Sequence, residues 1–188
     1  MSLFCLPIKA KKIPAKIDKR ADIVEVWLDH LEDFDLKKIK KPLLLVSRSK
    51  PELYKKALKF KPAYIDIDLK NKKYIPKNLG KTKLIISYHN YEKTPKNLHE
   101  IYKKMCALKP DIIKFSTKIN ESHDIANLFS LIPKADKPII TLGMGEKGKI
   151  TRILAPRLGN YLYYAPIKAQ DATAPGQLTY DELTSYWK

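Results

Sequence analysis

Leu84-Ile85-Ile86-Ser87-Tyr88-His89 is an apolar, β-branched run short enough for one strand. Thr94-Pro95-Lys96-Asn97-Leu98 then opens a helix with Pro at its first position, and Ile101, Met105 and Leu108 continue it at helical spacing. Ile112-Ile113-Lys114-Phe115 reads as a second strand. Outward from this strand–helix–strand unit, further short runs appear at Leu3–Ile8, Ile23–Leu28, Leu43–Val46, Ala63–Ile67, Pro138–Leu142 and Tyr161–Ala165. The eight runs start 20, 20, 20, 21, 28, 26 and 23 residues apart.

Several of the intervening stretches also have a helical pattern. One opens at Pro51 behind Ser49, a candidate N-cap with Glu52 three residues on. Asn120–Leu131 carries Ile125, Leu128 and Phe129, and Lys149–Leu158 carries Ile150, Ile153 and Leu154. The stretches near 11–21, 31–40 and 71–80 are short and poor in helical pattern. Alternating strands and helices predict a parallel sheet, and eight units predict closure into a single (β/α)8 TIM barrel over residues 1–188. With 188 residues the chain lies below the usual length of that fold, so the early helices must be trimmed. An open doubly wound sheet is the alternative. A leucine-rich repeat has a similar period, but its Leu/Asn consensus is absent.

Composition narrows the function. Hydrophobic residues are 44% and charged residues 30%, a globular balance. No apolar run approaches the roughly 18 residues of a membrane span, and the N-terminus has no secretory pattern, so a cytoplasmic protein is expected. Two cysteines, Cys5 and Cys106, cannot build a disulfide framework or a zinc site, and read as small hydrophobes. The net charge of +17 invites a nucleic-acid reading. Against it, 33 of the 37 cations are Lys, and they are scattered along the chain. Base readout favours Arg, so no nucleic-acid partner is expected.

The informative residues are polar ones inside the strand runs, because alternate strand residues face a packed barrel interior. Glu25 sits within Ile23-Val24-Glu25-Val26-Trp27-Leu28, Asp66 and Asp68 share one face of the fourth run, and His89 ends the fifth in phase with Ile85 and Ser87. Arg48 follows the third run and Lys114 lies inside the sixth. Several fall at strand C-terminal ends, where barrel and open-sheet enzymes alike carry their chemistry. A Lys among apolar residues must lose its proton or find a partner. A free amine there attacks carbonyls to give a Schiff base. A Lys nucleophile, a His acid/base, a carboxylate and two Arg together suit carbon–carbon or carbon–oxygen chemistry beside a ketone on an anionic substrate. His30, His89, His99 and His123 form no metal-binding pattern, and the glycines of Gly143–Gly148 lack the context of a dinucleotide loop.

With those residues in view, the sequence resembles type I 3-dehydroquinate dehydratase, a (β/α)8 enzyme of the shikimate pathway of aromatic amino acid biosynthesis. The resemblance rests on Glu25-Val26-Trp27-Leu28-Asp29, Ser87–Pro95, Asp111–Lys114, Met144–Arg152 and Ala172–Leu178, in the family's order. It implies that Lys114 forms a Schiff base with the substrate ketone and that His89 moves the protons. Glu52 would orient His89. Arg152 would hold the carboxylate, with Thr173 and Gln177 on a closing loop. Glu25 and Arg48 would bind ring hydroxyls, and Met144 would pack on the ring. No cofactor and no metal are implied, and the family often dimerises. Trp27 stands where the family usually has Arg, and Thr173 where Ser is commoner. Trp27 keeps open a different Schiff-base lyase or aldolase on a related hydroxy-keto acid. A basic binding protein is the non-enzymatic alternative.

Overall fold

The computed structural model describes residues 2–188. Eight strands lie where the apolar runs predict them: β1 (Leu3–Ile8), β2 (Ile23–Trp27), β3 (Leu43–Val46), β4 (Tyr64–Asp68), β5 (Lys83–Asn90), β6 (Ile112–Lys118), β7 (Ile139–Met144) and β8 (Leu162–Tyr164). All are parallel and form one sheet in the order β7-β6-β5-β4-β3-β2-β1-β8. The result is the expected α/β barrel, nearly closed.

The helices are α1 (Leu53–Ala57), α2 (Leu98–Cys106), α3 (Ser122–Phe129), α4 (Lys149–Leu154) and α5 (Tyr180–Ser185). Where the helical pattern was poor, the chain makes only short 3-10 turns, at Leu28–His30, Leu36–Lys38 and Leu69–Tyr74. The early connections are therefore trimmed, as the length required. Beside β1, where a full helix would otherwise pack, a cavity of about 960 Å³ opens between the 9–20 connection and residues 167–172.

Two expected helix starts differ from the structure. Ser49 does not cap α1; its backbone N–H and hydroxyl both donate to Asp29 Oδ2, at 3.0 and 2.8 Å. Thr94-Pro95 does not open α2, which begins at Leu98. The Thr94 hydroxyl instead pairs with Thr117 Oγ1 at 2.8 Å and donates to Lys118 O at 2.9 Å, binding the connection to β6.

The strands alternate cleanly. Cys5, Ile23, Leu44, Ile85, Ile112, Ile140 and Leu162 fill the barrel interior. The opposite strand faces pack outward against the helices, as with Val24, Leu45, Ile65, Ile86 and Ile113. The Tyr64 and Tyr161 hydroxyls meet at 2.8 Å at the N-terminal end of the barrel. Two residues beyond the interior apolar layer, the same faces present Glu25, Asp66, Ser87 and Lys114. The period of two thus turns a greasy lower barrel into a polar upper one.

The sheet has one seam. β7 and β8 share no ladder, and the gap is bridged by Asn160. Its side-chain Oδ1 accepts from the Thr141 backbone N–H at 2.9 Å, and its Nδ2 donates to Thr141 O at 3.0 Å. One backbone bond, Tyr161 N–H to Ile139 O at 2.8 Å, completes the joint. Asn160 is 3% exposed, so a side-chain amide does the work of a strand residue here.

Candidate active site

The strand C-terminal ends bring the polar interior residues into one cluster. Asp66, from β4, is its hub. Arg48, just past β3, grips it in a fork, with Nη1 3.1 Å from Oδ1 and Nη2 3.0 Å from Oδ2. Lys114 Nζ donates to Asp66 Oδ2 at 2.8 Å, and the Ser87 hydroxyl donates to Oδ1 at 2.5 Å. Asp66 is fully buried. Burial alone would push its carboxyl up, but the charges of Arg48 and Lys114 outweigh that and hold it far below the usual carboxylate range.

Lys114 resolves the problem that its strand position posed. It is 4% exposed, yet it has partners. Besides Asp66, Glu25 Oε1 lies 3.6 Å from Nζ, and the Tyr164 ring faces Nζ at 4.5 Å. Glu25 pairs with Lys114, while Arg48 pairs with Asp66. The other oxygen of Glu25, Oε2, accepts from the Trp27 indole N–H at 3.0 Å. Trp27 supplies a neutral donor to the carboxylate where a guanidinium would supply a charged one.

His89 ends the interior face of β5. Its Nδ1 lies 2.7 Å from Asp68 Oδ2, and its ring stacks on Tyr91 at 6.1 Å. Burial, reinforced by the charge of Arg48, lowers the imidazole to about 4 against the opposing bond from Asp68. Burial raises the Asp68 carboxyl, but the bond and charge of His89 prevail and lower it. An ionised Asp68 can only accept, so Nδ1 carries the hydrogen and Nε2 keeps its lone pair.

The acid expected to orient His89 was Glu52, and the structure puts Asp68 in that place. After β3 the chain turns outward through Ser49–Pro51, and Glu52 reaches the exposed start of α1. Asp68 pairs with Ser87 across the β4–β5 ladder, which sets its side chain beside His89 two residues on. The signal was present in the sequence: Asp68 lies in phase with Asp66 on the interior face. Asp66, Ser87 and Tyr164 join the site on the same phase, although none was a candidate site residue.

Arg152 lies on α4 and is 4% exposed, yet it forms no hydrogen bond or ion pair among the described residues. Burial with no compensating charge lowers its guanidinium to about 10. It is a cation held ready for an anion. Met144, 5% exposed, ends β7 beside it. The loop after β8 lies over the group: Gln177 Oε1 accepts from the Thr173 backbone N–H at 2.8 Å and from its hydroxyl at 3.2 Å. Gly176 lets that loop touch the turn after β7, because a Cβ there would strike the Gly145 carbonyl.

Glu25, Trp27, Arg48, His89, Lys114, Met144, Arg152, Thr173 and Gln177 all line one cavity of about 90 Å³, and Glu52 does not. The larger cavity beside β1 holds none of this chemistry. One small space thus carries an amine for a carbonyl, an imidazole with a free nitrogen, and an unpaired cation for a carboxylate or similar anion.

Known proteins are similar to this one along nearly the whole chain. A 3-dehydroquinate dehydratase of Methanocaldococcus jannaschii is 37% identical, the match covering 99% of this chain and 98% of that one. The bifunctional 3-dehydroquinate dehydratase/shikimate dehydrogenase of Arabidopsis thaliana is 32% identical, over 97% of this chain but 36% of the plant protein. The crystal structure of the 3-dehydroquinate dehydratase from Aquifex aeolicus superposes with a TM-score of 0.74 at 28% identity, covering 98% of this chain and 96% of that one. The family profile described as type I 3-dehydroquinase matches residues 7–188. On these grounds the chain belongs to the type I 3-dehydroquinase family.

Proposed function

We propose that this protein is a 3-dehydroquinate dehydratase, removing water from 3-dehydroquinate to give 3-dehydroshikimate. The observation that carries the reading is Lys114, buried among Asp66, Glu25 and the Tyr164 ring, in one cavity with His89 and Arg152.

The geometry supports the following roles. Arg152 meets the substrate carboxylate, and the loop carrying Thr173 and Gln177 closes over it. Lys114 gives up a proton, adds to the C3 ketone and loses one water, leaving an iminium. The iminium acts as an electron sink that acidifies C2. His89 Nε2 takes the C2 proton and passes it to the C1 hydroxyl, which leaves as water. Hydrolysis of the product iminium returns Lys114, so the net change is one water lost. Asp68 positions His89, Glu25 and Arg48 face the ring hydroxyls, and Met144 packs on the ring. The reading includes a cytoplasmic enzyme acting as a homodimer, which sedimentation would check.

Borohydride reduction in the presence of dehydroquinate tests the mechanism. Ligand mass should become fixed to Lys114, and Lys114→Ala should abolish both the adduct and turnover. No adduct, or an adduct on another Lys, would sink it.

A further inference from the structure

Lysines far apart in the chain meet at the end of the barrel opposite the candidate site. Lys41, Lys61, Lys83, Lys109 and Lys137 stand at or just before the N-terminal ends of β3, β4, β5, β6 and β7. Those five strands are consecutive neighbours in the sheet, so their lysines form one arc. Four belong to Lys-Pro pairs, at 41–42, 61–62, 109–110 and 137–138. None of the five forms an ion pair among the described residues. Asp111 and Asp136 share this edge, and Asp111 already accepts from the Leu84 N–H at 2.8 Å.

Two of the five are held at a conformational cost. Lys61 and Lys109 have φ of 49° and 52°, and are the only non-glycine residues with positive φ among those described. The left-handed region crowds a Cβ, and glycine or asparagine would occupy it more cheaply. Each lysine follows a helical turn, where a cation complements the dipole. Lys59 before the first, and Lys103 and Lys104 before the second, already supply that charge. Local structure therefore does not require lysine at either strained position.

We infer that this face docks the phosphate backbone of a nucleic acid, without sequence selection. Phosphates need only point charges, which Lys supplies, whereas reading bases favours Arg. A protein partner would want an apolar centre to the contact. The exposed large apolar residues Tyr74, Tyr91, Ile150, Leu154, Leu158 and Tyr186 all lie outside the short stretches that lead into these five strands. Five of the lysines scattered in the sequence are thus gathered by the fold, at the end of the barrel opposite the candidate site.

Fluorescence anisotropy of the full chain with a labelled oligo-uridylate, titrated between about 50 and 200 mM salt, tests this. Five contacts predict a slope of log K against log salt of about −3.5. The double variant Lys61→Gly, Lys109→Gly should make that slope shallower by about 1.4. Its turnover should be unchanged and its melting temperature unchanged or higher, since glycine relieves both strained positions. Lys72→Gln with Lys73→Gln, at the other end of β4, should leave the slope alone. Equal losses in the two double variants would report net charge only and overturn the inference, as would no binding at about 50 mM salt. Tighter binding of polyglutamate than of the oligonucleotide would reassign the face to an acidic polypeptide and likewise overturn it.

Discussion

His89 and Asp68 face each other across adjacent strands, Nδ1 to Oδ2 at 2.7 Å, both nearly out of reach of water. The bond fixes which ring nitrogen holds the hydrogen, and so which one can serve as base. Asp68→Asn keeps the shape but offers an amide that can donate to Nδ1, driving the hydrogen to Nε2. We expect kcat to fall by about 10²–10⁴, the range for loss of general acid–base catalysis. The borohydride adduct on Lys114 should still form. Glu52→Gln should leave kcat unchanged. A normal kcat in Asp68→Asn, or a collapse in Glu52→Gln, would return the orienting role to the helix start.

Stability should fall in two stages as pH drops. Burial lowers His89 from 6.5 to about 4. The unfolded chain therefore binds the proton first, and stability is lost as pH falls from about 6.5 toward 4. At about 1.4 kcal/mol per tenfold change in proton affinity, this group accounts for roughly 3 kcal/mol. Asp66 has the opposite chemistry and the same sign: its lowered carboxyl stabilises the fold fully above 3.8 and progressively less as pH falls below that. Chemical denaturation across this range, compared with His89→Gln, checks the assignment. The variant should lose the upper stage and keep the lower.

Arg152 should destabilise the empty protein and secure the occupied one. Lowering of its guanidinium from 12.5 to about 10 marks a buried charge without a partner, at a cost of about 3 kcal/mol. Arg152→Met should therefore melt at a higher temperature than the parent when no ligand is present. Its KM should rise by about 10²-fold, since a charge-assisted contact is worth roughly 1.5–3 kcal/mol. A melting curve with and without dehydroquinate, beside steady-state kinetics, reads both effects. A lower melting temperature would mean that Arg152 has a structural partner.

Asn160 should matter far more than a surface Asn. Asn160→Ala strips both backbone partners from Thr141 inside the protein, at about 1–3 kcal/mol for each buried group left unmade. Asn160→Asp keeps the acceptor, loses the donor and adds a buried charge. Urea unfolding should rank the proteins parent, then the two variants. Equal stability in all three would show that water takes over the joint.

Much of the barrel is legible in the sequence, because short apolar runs alternating with helical stretches read as buried strands, and their period of two fixes which residues point inward. Lys114, His89, Glu25 and Arg48 stand out for that reason. Asp68 was visible on the same face, yet the resemblance implied Glu52. Glu52 follows the point where the strand ends and the backbone turns outward, which the residue types alone do not reveal. Thr94 shows another limit: its cap-like pattern is overridden by a hydroxyl partner on β6, 23 residues away. The arc of lysines was hidden for a topological reason, since only the side-by-side pairing of β3 to β7 brings residues 41 to 137 to one rim.

The seam between β7 and β8 has a mechanical consequence. The loop bearing Thr173 and Gln177 is the continuation of β8, and it rests on the turn after β7, with Gly145 N–H donating to Pro175 O at 3.3 Å. Roof and joint therefore share the same two strands. Lifting the roof parts two pieces of chain that no ladder joins, and the other seven strand pairs stay zipped. The barrel is less a closed ring than a hinged collar whose clasp lies under its own lid.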